Sequence, residues 1–529
     1  MSTNEGVDLI SNLPDELLAA IISLLPGSEG VRTSILSRRW KSIWMHSSHL
    51  SFDQRQMLRP FIDLYLQTTS PYKRLKTALR RKVMPREEGD ADAIGQAAML
   101  INSILDTHSG PLTSCKIRHM DESCASGEAV GWMRKLLEQK GVRELSMERE
   151  SPLNAFRIQN GQRRLEEHGM TLDLPFDIFS GFEVLQLKNY YLNTSPSVDV
   201  PQTLKTLTFI KVSLPPVDLQ GILSNCSSLE NLTLDSCGFR KEVKINCPSL
   251  KFFKICRMTV NEIVISAANL DVIEFDTIVS NPQRLDLKAP KLKVLRCYND
   301  FKFERRYYSA SGKKLLTSME LLEACRDIQS PQSSSIANVF ENLVTLSIEL
   351  DLNNVRNVIS LSYYLRSCPH LQNLEINNKV RNESMDHYSS VFNDNGDDWL
   401  LFHKHFFWQR RVHFECINHQ LKTICIRGYT GKKLEVEFVK CIITTAEKME
   451  RITICFVDDC SWAQATATFC LLAFPRASRK LSIILKPGIE YITKDVANSY
   501  RIVNWKRSDD HPQVEAMKSK RNIKEYCDN

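Results

Sequence analysis

No stretch of this 529-residue chain is apolar for long enough to cross a bilayer; runs such as Leu17 to Leu25 fall well short of the roughly 20 residues a span needs. The opening MSTNEGVDLI is acidic, with neither a basic stretch nor an apolar one behind it, so no secretory leader is expected. Phosphate-cradling P-loops, G-x-G-x-x-G turns, the G-x-S-x-G elbow and the H-E-x-x-H zinc phrase are all missing, which removes the common nucleotide, hydrolase and metalloprotease chemistries. A dominant charge is lacking too. The 69 basic and 62 acidic residues leave +7 spread over the whole length, which gives no argument for a nucleic-acid partner. Sixteen cysteines form no dense framework, as expected of reduced thiols in the nucleus and/or cytoplasm. What remains is an ordinary globular composition, 43% hydrophobic and 25% charged, long enough for one small domain and a long solenoid.

The most informative stretch lies between Asp8 and Asp53, where three short helix signals follow one another. Asn12 is placed to cap a first helix, Pro14 suits its first turn, and Asp15 and Glu16 complement its dipole. Leu17, Leu18, Ile21, Ile22, Leu24 and Leu25 give that helix more apolar surface than one face can hide, and Pro26-Gly27 stops it. Val31 and Ile35 mark a second helix; Ser37 can cap a third, which carries Trp40 and Trp44 at i, i+4. So small a bundle cannot bury all of these side chains, and the excess implies a partner.

Leu13-Pro14-Asp15-Glu16-Leu17-Leu18, Ile21, Leu24-Leu25-Pro26, then Val31 through Ile35-Leu36 to Trp40, and Trp44, resemble the plant form of the F-box almost letter for letter. The resemblance implies docking onto the Skp-type linker protein of a cullin-based (SCF) ubiquitin ligase. It assigns that contact to Leu13, Pro14, Leu17, Leu18, Ile21, Leu24, Leu25, Pro26, Val31, Ile35, Leu36, Trp40 and Trp44. Residues 54–98 read as a basic linker in which Lys73, Arg74, Lys76, Arg80, Arg81, Lys82 and Arg86 occur without an intervening acid. That run suits an import or phosphate-binding patch, or simply a solvated face.

From residue 99 a phrase recurs, L-x-x-L-x-L with apolar substitutions: Leu112/Cys115/Ile117, Val142/Leu145/Met147, Phe182/Leu185/Leu187, Leu204/Leu207/Phe209 and Leu229/Leu232/Leu234. It continues as Leu250/Phe253/Ile255, Leu270/Ile273/Phe275, Leu292/Leu295/Cys297, Leu343/Leu346/Ile348 and Leu371/Leu374/Ile376. Starting positions from 182 to 292 differ by 22, 25, 21, 20 and 22, within the leucine-rich-repeat period. The second and third apolar residues lie two apart, so both point to one side of a short strand. One strand per repeat stacks into a parallel sheet on the concave face of a solenoid, an α/β architecture. Cys226, Cys247 and Cys368 sit in the turn before a phrase, where a thiol packs as a small apolar group. The spacing stretches near 300–340 and 378–400, where each gap could hold a degenerate repeat with an insertion.

Residues 401–485 resemble the FBD domain of plant F-box proteins through Trp408, Cys416, His419-Gln420-Leu421-Lys422, Gly428-Tyr429-Thr430-Gly431, Glu435 or Glu437, and Met449-Glu450. Two further phrases lie there, Leu421/Ile424/Ile426 and Met449/Ile452/Ile454, with a helix pattern from Phe438 between them. A repeat-like unit closing the solenoid is expected, and residues 486–529 form a tail. His403, His405, His413, Cys416 and His419 crowd together, but no second paired element completes four ligands, so no metal or other cofactor is expected.

With no catalytic motif, the chain reads as a non-enzymatic adaptor. The resemblance to F-box/FBD/LRR-repeat proteins implies that linker, cullin and RING subunits assemble around it and that it holds a protein target, catalysis being proximity. The alternatives are a co-receptor with a small molecule or inositol phosphate in the solenoid, and a Skp-binding scaffold without a role in degradation. Alternation leaves Phe252, Lys254 and Cys256 outward on one strand, then Glu274 with Asp276, and Arg296 with Tyr298. Phe252 and Tyr298 amid Lys254, Glu274, Asp276 and Arg296 have the anchor-and-rim look of a protein-binding site.

Overall fold

Wherever the leucine phrase falls in the described chain, a short parallel strand forms. A computed structural model describes residues 10, 12–25, 27–57, 88–150, 156–159, 162–165, 171–175, 178, 181–195, 203–238, 242–260, 262–280, 285–298, 314–315, 318, 321–322, 340–378, 414–457, 470–486 and 503–505. Contacts divide the chain into two units, Met1–Leu250 with Ile255–Thr259, and Lys251–Lys254 with Val260–Asn529.

The first unit begins with helix Asp15–Ser23. Pro14, rather than Asn12, takes the cap position, and the first-turn amides of Leu17 and Leu18 bond back to its carbonyl. Short turns Gly27–Arg32, Thr33–Ile35, Trp40–Ile43 and Trp44–His46 complete the bundle. Ser37 Oγ accepts from the Trp40 amide at 3.4 Å, but Arg39 rather than Ser37 takes the cap position of Trp40–Ile43. No linker separates this bundle from the sheet. Strand His49–Asp53 follows at once and pairs in parallel with Ser114–His119, setting Leu50 beside Cys115 and Phe52 beside Ile117. The repeat stack therefore starts inside the segment expected to be pure F-box, because Leu50 and Phe52 alternate inward like the last two residues of the phrase. Helix Glu88–Thr107 then crosses the expected boundary at residue 98. The joint is tight: Ser109 and Gly110 both donate to the Met45 carbonyl, at 3.1 and 2.8 Å. A β-carbon on Gly110 would lie 2.5 Å from His46 Cα, so only glycine passes there.

Strands Glu144–Arg149, Val184–Lys188, Thr206–Ile210 and Asn231–Asp235 continue the first unit in parallel register. Cys115, Ile117, Leu145, Met147, Leu185, Leu187, Leu207, Phe209, Leu232 and Leu234 are all buried, as alternation requires. Just beyond five consecutive phrases, those from Phe182 to Leu270, the chain turns a left-handed corner: Asn189 (φ 64), Lys211 (φ 52), Ser236 (φ 55), Arg257 (φ 47) and, in the second unit, Thr277 (φ 57). Each lies seven residues after the first apolar residue of its phrase. Corner amides are used: Asn189 N donates to Ile210 O at 2.9 Å and Lys211 N to Asp235 O at 2.7 Å.

The second unit stacks Val272–Ser280, Val294–Tyr298, Thr345–Leu350, Asn373–Asn378, Thr423–Tyr429, Arg451–Phe456 and Ser482–Lys486 in parallel, with Val503–Trp505 added antiparallel. Val294 pairs directly with Thr345, and Asn373 with Thr423, so neither long gap puts a strand between these neighbours; the short strand Lys314–Leu315 from the first gap instead pairs antiparallel with the end of Val272–Ser280. Returns between strands vary in kind, from short strands such as Glu262–Ser266 and Leu285–Lys288 to helices Val355–Arg366 and Lys433–Thr445. The turn cysteines Cys226, Cys247 and Cys368 are buried, and burial pushes the Cys226 thiol up to about 12.

Glu435, one of two glutamates in the FBD-like pattern, proves to be a buried fastener of this stack. Its Oε1 accepts from Asn353 Nδ2 at 2.7 Å, Asn378 Nδ2 at 2.5 Å and Thr430 Oγ1 at 2.9 Å. Its Oε2 accepts from the Thr430 and Gly431 amides, each at 2.8 Å. Gly428 (φ 72) packs so closely that a β-carbon would meet Asn378 O at 2.3 Å.

Candidate functional site

Helix Asp15–Ser23 presents two stripes. Leu18 and Ile22, four apart, are buried and hold the bundle. Leu17, Ile21 and Leu24 follow the other stripe at i, i+4, i+7 and stand open to solvent, Leu24 at 86% exposure. The next turns leave Ile35 at 86% and Leu36 at 67%. Among the remaining residues expected on this face, Pro14 is exposed, Leu13, Leu25 and Val31 are half-buried, and Pro26 lies outside the described residues.

Three of the expected contact residues belong inside instead. Leu18, Trp40 and Trp44 are buried in the chain alone, because the helix and the two one-turn segments close over them. Two residues were missed. Ile10 is 56% exposed just ahead of the motif, where an apolar residue close before Leu13 was the available signal. Arg39 is the second: its guanidinium donates to Asp15 Oδ1 at 2.7 Å and also to the Leu13 carbonyl, fixing where the exposed helix begins.

A second candidate face is the outward side of the strands in the second unit. Glu274 accepts from Lys254 Nζ at 3.0 Å and Arg296 Nη1 at 2.6 Å. Burial works against the Glu274 carboxylate, but the hydrogen bonds and charges of Lys254 and Arg296 outweigh it and hold its pKa below the usual range. Burial raises the Tyr298 phenol, with a hydrogen bond to Ser347 opposing. Phe252 and Asp276 are half-buried on the same side. Register carries the row onward from Arg296 to Ser347, Glu375 and Cys425. Ser347 Oγ donates to Glu375 Oε2 at 3.2 Å, and Arg427 Nη1 reaches the same oxygen at 3.6 Å. Applying the same alternation to the phrases at 371 and 421 would have added Glu375, Cys425 and Arg427. Cys256, expected outward, is buried: Ile255 and Cys256 both turn inward as the chain leaves strand phase before the Arg257 corner. Since Lys254 and Arg296 both engage one carboxylate, the row carries paired charge rather than a cluster of cations.

The histidine-rich segment gives no centre among the described residues, where no group of three or more potential metal ligands occurs. Cys416 Sγ donates to Leu365 O at 3.0 Å, and burial pushes that thiol up to about 12. His419 is on the surface beside Glu447, at 3.3 Å; His403, His405 and His413 lie outside the described residues. No helix among the described residues is long and apolar enough to cross a membrane.

A helical bundle with an open apolar face, running straight into a parallel leucine-rich stack, defines an F-box/leucine-rich-repeat protein. Residues 10–51 match the F-box domain, and residues 176–499 match the family model described as At1g61320/AtMIF1, LRR domain. The latter spans more than half of the chain, which therefore belongs to that leucine-rich-repeat family. Its match runs on through the FBD-like block, whose described strands are further rungs of the same stack. F-box protein At1g80960 of Arabidopsis thaliana is 24% identical over 474 residues, covering 85% of this chain and 84% of that protein. FBD-associated F-box protein At5g60610 of the same plant is 25% identical over 463 residues, covering 85% and 100%. F-box/LRR-repeat protein 13, also from Arabidopsis thaliana, is 20% identical over 526 residues, covering 91% and 97%. Proteins of this class are in general non-catalytic adaptors of SCF-type ligases, and an F-box in general docks a Skp-type linker.

Proposed function

We propose that this chain is a target-binding subunit of an SCF-type ubiquitin ligase. Leu17, Ile21, Leu24, Ile35 and Leu36, with Ile10, form the linker-docking face, and the outward row from Phe252 to Tyr298 in the second unit belongs to the target site. The observation that carries the reading is the apolar face of the bundle. Six large aliphatic side chains stand exposed beside a core that is already closed by Leu18, Trp40 and Trp44. A surface of that kind costs solubility unless a partner covers it.

Changing Leu24, Ile35 and Leu36 together to Ser should abolish co-purification with the linker, because truncating an anchor typically costs about 2 kcal/mol and three exceed a thousandfold in Kd. None of the three is buried, so the bundle should keep its fold. Linker binding retained by the folded triple variant would overturn the docking face. For the target row, Phe252→Ala with Tyr298→Ala should let the cellular target accumulate while linker binding is unchanged. Unaltered turnover in that variant, with loss of turnover from changes on the opposite side of the sheet, refutes this placement.

A further inference from the structure

We infer that Ser47 and His108 are positioning residues: a buried hydrogen-bond relay through them fixes the angle at which the linker-docking helix is carried on the repeat stack, and so where on a bound target ubiquitin is delivered. The delivery half rests on the ligase reading above, whereas the relay does not. Only Ser47 and Ser48 join the last turn of the bundle, Trp44–His46, to the first strand, His49–Asp53. Their backbone dihedrals are soft, so the covalent link alone does not fix the bundle's orientation. Something else must hold it.

The relay starts where the docking helix Asp15–Ser23 ends. Ser23 Oγ lies 2.9 Å from Ser47 Oγ, and each hydroxyl also reaches a carbonyl, Ala19 O and His49 O, both at 2.7 Å. With one proton apiece, the hydroxyls make two of these three bonds at a time. The Ser47 carbonyl then accepts from His108 Nε2 at 2.8 Å, which makes Nε2 the protonated nitrogen of the ring. His108 directly follows helix Glu88–Thr107, and its own carbonyl accepts from Lys140 Nζ at 2.6 Å, in the turn that leads to strand Glu144–Arg149. Ser47 and His108 are both buried, so bulk water does not compete for these bonds. Among the described residues Nδ1 of His108 has no partner, so the ring commits its one hydrogen bond to the joint. The backbone bonds from Ser109 and Gly110 to Met45 O hold the same seam, and the relay reaches past them to the docking helix. Transfer by proximity depends on orientation as well as distance. In a subunit that holds the linker on the bundle and the target on the stack, this seam sets that orientation.

The test is the distribution of distances in the full chain, read by double electron–electron resonance between spin labels at the exposed Glu16 and Ser227. The labels enter through unnatural amino acids, since the chain has sixteen cysteines. One narrow distribution is expected in the wild type. His108→Leu, which fills the space without a donor, and Ser47→Ala should each broaden it about twofold by removing a buried bond. His108→Gln, whose amide can donate to the Ser47 carbonyl, should restore the narrow form, which a role in packing alone would not require. Linker affinity should be unchanged in all three, because the exposed docking residues are untouched. With linker, cullin, RING subunit and ubiquitin carrier added, the lysines modified on the chain itself should be few in the wild type and more widely spread in His108→Leu. Equal widths in the wild type, His108→Leu and Ser47→Ala overturn the relay, and broadened distances with an unchanged lysine pattern overturn its positioning role. Should His108→Leu fail to fold, Ser47→Ala, which loses one hydroxyl, decides both points. The distance measurement needs no ligase, so failure of the wild type to bind the linker would sink the proposed function and leave the relay standing.

Discussion

Replacing Glu435 by Ala should cost the second unit about 4 kcal/mol, and the figure follows from the acceptors removed. Five hydrogen bonds end on this carboxylate. Once it is gone, the hydroxyl of Thr430 can turn elsewhere and the half-buried Asn353 can find water. The amides of Thr430 and Gly431 lie inside with no acceptor to replace it, and the buried Asn378 Nδ2 keeps its bond to the Gly428 carbonyl but loses the partner of its other N–H. Each orphaned buried donor costs about 1–3 kcal/mol, so three amount to about 4 kcal/mol near the lower end. In a unit of this size that corresponds to a melting midpoint lower by about 8 °C. Hydrogen exchange should localise the damage to strands Asn373–Asn378 and Thr423–Tyr429, which the network joins. Glu435→Gln is the sharper probe. Both carboxylate oxygens accept from donors, and an amide must turn its NH2 toward one set, so Gln should recover less than half of the loss. A Gln variant as stable as the wild type, or an Ala variant within about 1 kcal/mol of it, would refute the reasoning.

Gly110→Ala should loosen the joint between the bundle and the first rung, because its β-carbon would sit 2.5 Å from backbone at His46; proteolysis between residues 46 and 110 should accelerate, and an unchanged digestion pattern would count against that joint. Acid should weaken the first unit through His119, whose pKa burial, opposed by a hydrogen bond to Met120 O and helped by the Arg149 charge, depresses to about 4. The unfolded chain takes up that proton first, near pH 6.5, so stability should fall as pH drops from about 6.5 to 4, by about 3 kcal/mol at most. Denaturant midpoints across that window should show the slope, and His119→Gln should flatten it; a flat wild-type profile refutes the assignment. Elemental analysis of the purified chain should find no stoichiometric zinc, and a chelator should leave the melt unchanged; one zinc per chain, lost in Cys416→Ala with His419→Ala, would reverse that.

The strands were legible because the phrase states the same physical instruction each time. Leu185 with Leu187 and Leu232 with Leu234 need a common buried side, and two-residue alternation supplies it. Strand His49–Asp53 escaped notice because Leu50 and Phe52 carry only the last two members of the phrase, inside a segment dominated by a helical motif. The linker-facing stripe was legible as a surplus of apolar residues, but composition could not divide it. Leu17 and Leu18 are adjacent, and a rotation of about 100° sends one outward and the other into the core. Cys256 went wrong for a related reason, since alternation holds only until the chain turns. The pairing of Glu274 with Lys254 and Arg296 was hidden because it depends on which strands become neighbours, which the phrase does not encode.

The left-handed corners bear on how this array can change its length. In an ordinary sheet a single inserted residue inverts every side chain downstream, because inside and outside alternate like odd and even numbers. Here the count is discarded at each corner and begun again at the next anchoring leucine. Phrases spaced by 20, 21, 22 and 25 residues therefore deliver the same face to the core. Intervals of 51 and 50 residues also deliver that face, although among the described residues no left-handed corner follows the phrases at Leu292 and Leu371; Val294 still meets Thr345 and Asn373 still meets Thr423. Asn, Lys, Ser, Arg and Thr fill these corners, although each costs of order 1 kcal/mol where glycine would sit at ease. The stack is thus a scaffold in which new segments can be spliced into the returns without rewriting any rung, which is a useful property in a protein whose task is to meet something outside itself.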